Sequence, residues 1–247
     1  MASWDWQIFC KETTSGEQVA SCFGRGGDIT YLNWILSAWG WTLAVALLAL
    51  VVALVLGSLV GIIRTAPNRW LALFGEAWTE VFRNNPLIVQ IFLWYHVLPA
   101  IFLPLRDVPS YWLVVFALGC FTSARIGEQV KAGINTLSRG QRYAGLAMGL
   151  TLPQTYRYVL LPMAFRIIVP PLTSESMNIV KNSSVAFAVS IAELTFFAQQ
   201  SAEETSQPIM MYGAATLLYF ISAFAINRVA KVIENRTQVP GMLGGAK

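Results

Sequence analysis

The sequence predicts an all-α membrane protein with about five transmembrane helices, its N-terminus outside and its C-terminus in the cytoplasm. Three observations carry that expectation. The 247 residues are 55% hydrophobic and only 12% charged, with a mean hydropathy of +0.54, whereas soluble domains carry about twice that charge. Apolar stretches recur at lengths near the roughly 20 residues that a spanning helix needs. Lysine and arginine gather in alternate connections, as the positive-inside rule requires.

The elements follow in order. Residues 1–35 are polar and acidic, without the basic flank and apolar run of a signal peptide. They hold Cys10 and Cys22. An oxidising outer face would join the two, and a pair of free thiols is the other reading. A transmembrane domain is expected over 36–234. Its first span, 41–63, carries no charge, and Gly57 and Gly61 form a G-x-x-x-G that allows close helix approach. That approach serves packing within the subunit or association between subunits. The second stretch, 71–98, is interrupted by Glu76, Glu80, Arg83 and Pro86, and contains the single histidine, His96, read as a packing residue. The third, 111–130, is apolar until Arg125 and Glu128, and its Cys120 reads as packing. The fourth, 166–189, is polar in the middle. The fifth is 209–232, followed by a cytoplasmic tail over 235–247.

Charge sets the orientation. One side collects Arg64, Arg69, Lys131, Arg139, Arg142, Arg157, Arg166, Arg228, Lys231, Arg236 and Lys247. The other holds Lys11, Arg25 and Arg106 among seven carboxylates, including Asp28, Glu203 and Glu204. The basic side is cytoplasmic, and an odd number of spans connects it to an outer N-terminus.

Several function classes are excluded. No cluster of histidine, cysteine and carboxylate suggests a metal centre or a catalytic constellation. No G-x-x-x-x-G-K-[ST] run is present to cradle nucleotide phosphates, so no cofactor is expected on this chain. Nucleic acid is not an expected partner, because basic residues beside spans report orientation. Membrane lipid is an expected one. A self-sufficient secondary transporter or channel is the rival class, but such folds show internal repeats and more spans.

Between the third and fourth spans, residues 138–162 are too polar to cross a bilayer. Thr151 and Gln154 form a T-x-x-Q capping box with Pro153 in the first helical turn. Gly149 suits the left-handed cap of a preceding helix over 140–148, which is lined by Ala144, Gly145 and Ala147. A helix that short is marginal in water and needs a partner. The hairpin reads as a docking element, or more plainly as an ordinary cytoplasmic turn.

Gly149, Val159, Leu161 and Pro162 fit the "EAA…G…I-x-LP" loop of ABC-importer permeases, and the chain resembles that family from about Ile35 onward. "FRNNPLIVQ" (82–90), "EQVKAGI" (128–134), Gly140-Gln141 and "IVKNSS" (179–184) narrow the resemblance to the polar amino-acid branch. "GLTLPQTYRYVLLP", "IVPPLTSESMN" and the ending "VPGMLGGAK" place it nearest to glutamate/aspartate permeases. Two positions depart from the motif: its Glu is Tyr143 and its second Ala is Gly145. The resemblance implies a bacterial inner-membrane permease that is not an enzyme. ATP and Mg would be bound by cytoplasmic ATPase subunits, which grip the loop as a coupling helix. It also implies a second permease subunit and a periplasmic binding protein that delivers the amino-acid substrate. Gly140, Gln141, Arg142, Tyr143, Ala144, Gly145, Gly149, Leu161 and Pro162 are then the expected coupling residues.

Intramembrane charges supply the expected substrate path. Arg125 stands where the wider branch often has tyrosine. Glu175, Asn178 and Asn182 share one helix face at i, i+3 and i+7, with Lys181 beside them. Pro170 and Pro171 precede that face and are expected to loosen its helix. Arg125 and Lys181 would complement two substrate carboxylates and Glu175 the ammonium. Alternatively, Glu175 and Lys181 neutralise each other or pair across the permease interface.

Overall fold

The computed structural model describes residues 5–19, 22–23 and 29–237. Arg25, Asp28 and Lys247 lie outside these, as does the 239–247 ending. Apart from the isolated bridges Lys11–Gln18 and Glu12–Thr30, the described chain is built of helices and their connections. In order these are α1 (Tyr31–Ile63), α2 (Arg69–Asn84), α3 (Leu87–Phe92), α4 (Leu98–Ile101) and α5 (Ser110–Thr136). Then come α6 (Arg139–Ala147), α7 (Leu152–Thr155), α8 (Leu161–Asn182), α9 (Leu194–Thr205) and α10 (Pro208–Thr237).

Three of these helices, α1, α5 and α10, are each long and apolar enough to cross a membrane. A fourth crossing arises if the stretch Leu152–Val189 and α9, which meet at 52°, form one broken span. The second apolar stretch departs from the expected single span. Pro86 lacks an amide hydrogen and holds Asn85 extended, which ends α2. Gln90 then bridges the break by donating its amide hydrogens to the Phe82 and Asn85 carbonyls at 2.8 and 3.0 Å. The "FRNNPLIVQ" motif is therefore a stapled helix break.

α1 begins well before the apolar run because Thr30 caps it, accepting the Asn33 amide hydrogen at 3.3 Å. At 1.5 Å per residue it is about 50 Å long, beyond a hydrocarbon core of roughly 30 Å. It packs along α5, and here the G-x-x-x-G finds its use. A Cβ on Gly57 would stand 2.7 Å from Ile126 Cβ, and one on Gly61 would stand 2.5 Å from Val130 Cβ. The close approach is within the chain.

α8 also differs from expectation. It runs through Pro170 and Pro171 without a break. The break comes later, in a 3-10 segment over Ser183–Val189 and a left-handed Ser190 (φ 59°).

The N-terminal segment folds onto the N-terminal ends of α1 and α10 and onto α9. Cys10 and Cys22 are joined as a disulfide, their Cα atoms 4.1 Å apart. Ile8 and Phe9 are buried among Tyr31, Ile35, Phe197 and Met210.

Candidate coupling hairpin and substrate path

α6 and α7 form the hairpin. α6 ends as expected at Gly149, whose φ of +85° favours glycine. The Leu150 amide donates to Gly145 O at 3.2 Å and the Gly149 amide to Leu146 O at 3.0 Å. This pair of bonds satisfies the carbonyls that a helix end would otherwise leave open. Two residues on, Gln154 Oε1 accepts from the Thr151 amide at 2.8 Å, and the capping box starts α7. A π-helical turn, Tyr156–Leu160, leads into α8. Its Tyr156 is buried and donates to the Thr65 carbonyl at 2.8 Å, tying the hairpin to the connection after α1.

The small residues serve different ends than their composition suggests. Gly145 is buried, and a Cβ there would meet Thr155 Cγ2 at 2.8 Å. Its smallness closes the hairpin on itself. Gly149 has open space around it and is required for its backbone conformation alone. Ala144 and Ala147 face outward beside Tyr143, Leu146 and Met148, the last 84% exposed. Gly140 and Pro162 are exposed, whereas Gln141, Arg142 and Leu161 are half-buried. Arg139 and Arg142 line a cavity of about 400 Å³ with Thr65, Asn135, Ser138 and Tyr156. No Asp or Glu occurs between Gln129 and Ser174, so the whole hairpin is cationic.

Beside it lies a charge cluster that sequence reasoning used only for orientation. Arg64, whose side chain is 1% exposed, pairs with Glu76 of α2 at 2.8 Å and Glu128 of α5 at 2.9 Å. Lys131 also reaches Glu76, at 3.2 Å. Arg83 reaches Glu80 and Glu128, each at 3.3 Å. The cluster explains why charges interrupt the second apolar stretch: they clamp α2 to α1 and α5. The visible signal was carboxylates and cations at helical spacing in adjoining segments.

Of the expected substrate-path residues, the structure brings together Arg125, Glu175 and Asn178. Arg125 Nη1 lies 3.8 Å from Glu175 Oε2, and its guanidinium sits 5.4 Å from the Phe121 ring centre. Asn178 lies beside the same carboxylate, one turn on along α8. Gln129, one turn after Arg125 and missed in the sequence, approaches Glu175 Oε1 with its amide nitrogen at 3.4 Å. Lys181 is exposed and carries no ion pair among the described residues, and Asn182 stands apart at the end of α8. Glu175 therefore pairs with Arg125 and leaves Lys181 free. Arg125 is open to approach, while Glu175 is nearly buried, with side-chain exposures of 43% and 11%.

His96 is exposed, with its ring against those of Phe92 and Tyr95, and no group of three or more metal-ligating side chains occurs among the described residues.

Residues 51–239 match the model of a family described as the binding-protein-dependent transport system inner membrane component. The chain is 40% identical over 253 residues to the glutamate/aspartate import permease protein GltJ of Escherichia coli K12, covering 98% of both. It is 29% identical to GltK, the glutamate/aspartate import permease protein of E. coli O6:H1, over 79% of this chain and 90% of that one. A solved amino acid ABC transporter crystallised with histidines superposes with a TM-score of 0.73 at 26% identity, over 83% of this chain and 95% of that chain. Proteins of this kind are transport subunits of ABC importers rather than enzymes, and ATP is hydrolysed on a separate subunit. The chain belongs to the binding-protein-dependent inner-membrane permease family, within its polar amino-acid branch.

Proposed function

We propose that this chain is one permease subunit of an ATP-driven glutamate/aspartate importer of the bacterial inner membrane. In this reading it has five spans over 36–234. Segment 1–35 is periplasmic, and the 138–162 loop and 235–247 tail are cytoplasmic. α2 to α4 together make the second crossing, and the bent stretch from α8 to α9 makes the fourth. A second permease, of the kind GltK represents, completes the path, and the binding protein delivers substrate to the outer face.

The observation that carries the reading is the hairpin. It is closed by two caps, stapled to Thr65 through Tyr156, and presents an exposed face of Tyr143, Ala144, Leu146 and Met148. A rigid lever with an unsatisfied outer face suits a cytoplasmic ATPase, which binds and hydrolyses ATP with Mg. Its uniformly cationic sequence calls for an acidic groove on that partner. Inside the bilayer, Arg125 provides the planar, bidentate donor that a carboxylate prefers. Glu175 provides the counter-charge that an ammonium needs, with Asn178 beside it and Lys181 and Asn182 further along.

Co-purification of an affinity-tagged chain with its ATPase, alongside glutamate uptake, tests this function. Uptake should require the ATPase. Uptake that persists in cells lacking the ATPase would make the chain a self-sufficient transporter.

A further inference from the structure

The N-terminal segment is a built unit rather than a tail. The Cys10–Cys22 disulfide closes it, the Tyr31 amide donates to Lys11 O at 3.2 Å, and the Thr13 amide donates to Ile29 O at 2.9 Å. Ile8 and Phe9 anchor it in an apolar cluster with α9 residues Phe197 and Ala202. The family match begins at residue 51. The histidine-bound transporter is covered over 95% of its own chain yet leaves 17% of this chain unmatched, whereas GltJ matches over 98% of it.

Its outer surface is acidic. Asp5, Glu12 and Glu17 stand on the cap against the single described cation Lys11. Glu204 of α9 is exposed and accepts from the Tyr31 hydroxyl at 3.0 Å, and exposed Glu203 precedes it on the same helix. Hydroxyls of Ser15 and Thr14, at 2.5 and 2.6 Å, hold the Glu12 carboxyl below its usual range, so it stays charged. This sign decides between two roles. A surface of carboxylates repels anionic glutamate or aspartate, so the cap is no antenna for free substrate. It attracts a macromolecule with a basic face.

We infer that the disulfide-closed cap, with Glu203 and Glu204 of α9, forms a docking platform for a lysine- and arginine-bearing face of the binding protein on which this family's transport depends. The inference rests on the outward orientation given under the proposed function. Complementary charge of this kind acts mainly on the association rate and is screened by salt.

The test uses the assembled importer in nanodiscs, with the binding protein titrated at low and high salt. Glu17→Lys combined with Glu203→Lys should weaken association about tenfold at low salt, with the difference shrinking at high salt. The neutralising pair Glu17→Gln and Glu203→Gln should fall between wild type and the reversal. In intact cells, Glu203→Cys should react with a membrane-impermeant maleimide; the remaining free thiol, Cys120, is buried. Labelling together with unchanged association and salt dependence overturns the docking platform alone. A thiol that reacts only after permeabilisation overturns both the orientation and the platform.

Discussion

Tyr156 donates its phenolic hydrogen to the Thr65 carbonyl at 2.8 Å, so the hairpin after α5 hangs from the connection after α1. The two residues are 91 positions apart in sequence. The hairpin is thereby tied to the connection that holds Arg64, one residue before Thr65, which clamps α2 and α5.

Tyr156→Phe keeps the ring and removes the donor. The Thr65 carbonyl loses that bond at a cost of about 1 kcal/mol, which is too little to unfold the chain. The importer should assemble normally and hydrolyse ATP, with less glutamate carried per ATP. Parallel uptake and phosphate-release assays measure that ratio, and an unchanged ratio would remove Tyr156 as a mechanical link.

Three hairpin substitutions separate shape from docking. Gly145→Ala drives a methyl into Thr155, and overpacking of this kind costs about 1–3 kcal/mol. Gly149→Ala puts a side chain at a φ of +85°, at a cost of roughly 1–2 kcal/mol. Both should lower the thermal midpoint of the purified permease. Ala144→Trp faces outward, so it should leave that midpoint in place and abolish ATPase-coupled uptake. Wild-type uptake by Ala144→Trp would remove the docking role of this face.

The Arg64 cluster should respond asymmetrically. Arg64→Met leaves Glu76 and Glu128 half-open to water, so they rehydrate. Glu76→Gln with Glu128→Gln strands a buried guanidinium, and uncompensated buried charge costs about 3–5 kcal/mol. The double variant should melt at the lower temperature. The reverse order would mean that the clamp works through the carboxylates alone.

These side-chain details mark how far the sequence reaches. The long apolar runs in α1, α5 and α10 were legible because a long stretch of each carries no charge, and the caps at Gly149 and Thr151 because their chemistry is local. The α2–α3 break was visible as Pro86, yet its repair by Gln90 depends on two carbonyls that only the folded turn brings near. Arg125 and Glu175 were legible as intramembrane charges. Their pairing was not, because it depends on how α5 and α8 register, and Lys181 was the nearer partner in sequence. Gly145 looked like part of a docking face and instead packs inside the hairpin, since helix phase decides which small residue points outward.

The Cys10–Cys22 loop, with a sequence separation of 12, should be stabilised by roughly 3 kcal/mol in the chain-entropy account. Mass spectrometry of unreduced protein should find no alkylatable thiol in this segment. Reduction should open the cap to protease while α1, α5 and α10 remain resistant. Equal protease resistance before and after reduction would mean that Ile8 and Phe9 hold the cap unaided.

The most direct test of the central claim is glutamate uptake into proteoliposomes holding the complete importer, wild type beside Arg125→Tyr and Arg125→Lys. Assembly and binding-protein docking are followed in the same samples. Removing a charge-assisted carboxylate contact of about 1.5–3 kcal/mol should cut ATP-dependent glutamate and aspartate uptake by roughly tenfold to a hundredfold. Lysine should restore only part of it, because it lacks the planar fork. Assembly and docking should stay intact. Normal glutamate uptake by an assembled Arg125→Tyr importer would contradict the account and place selection of acidic substrates in the binding protein.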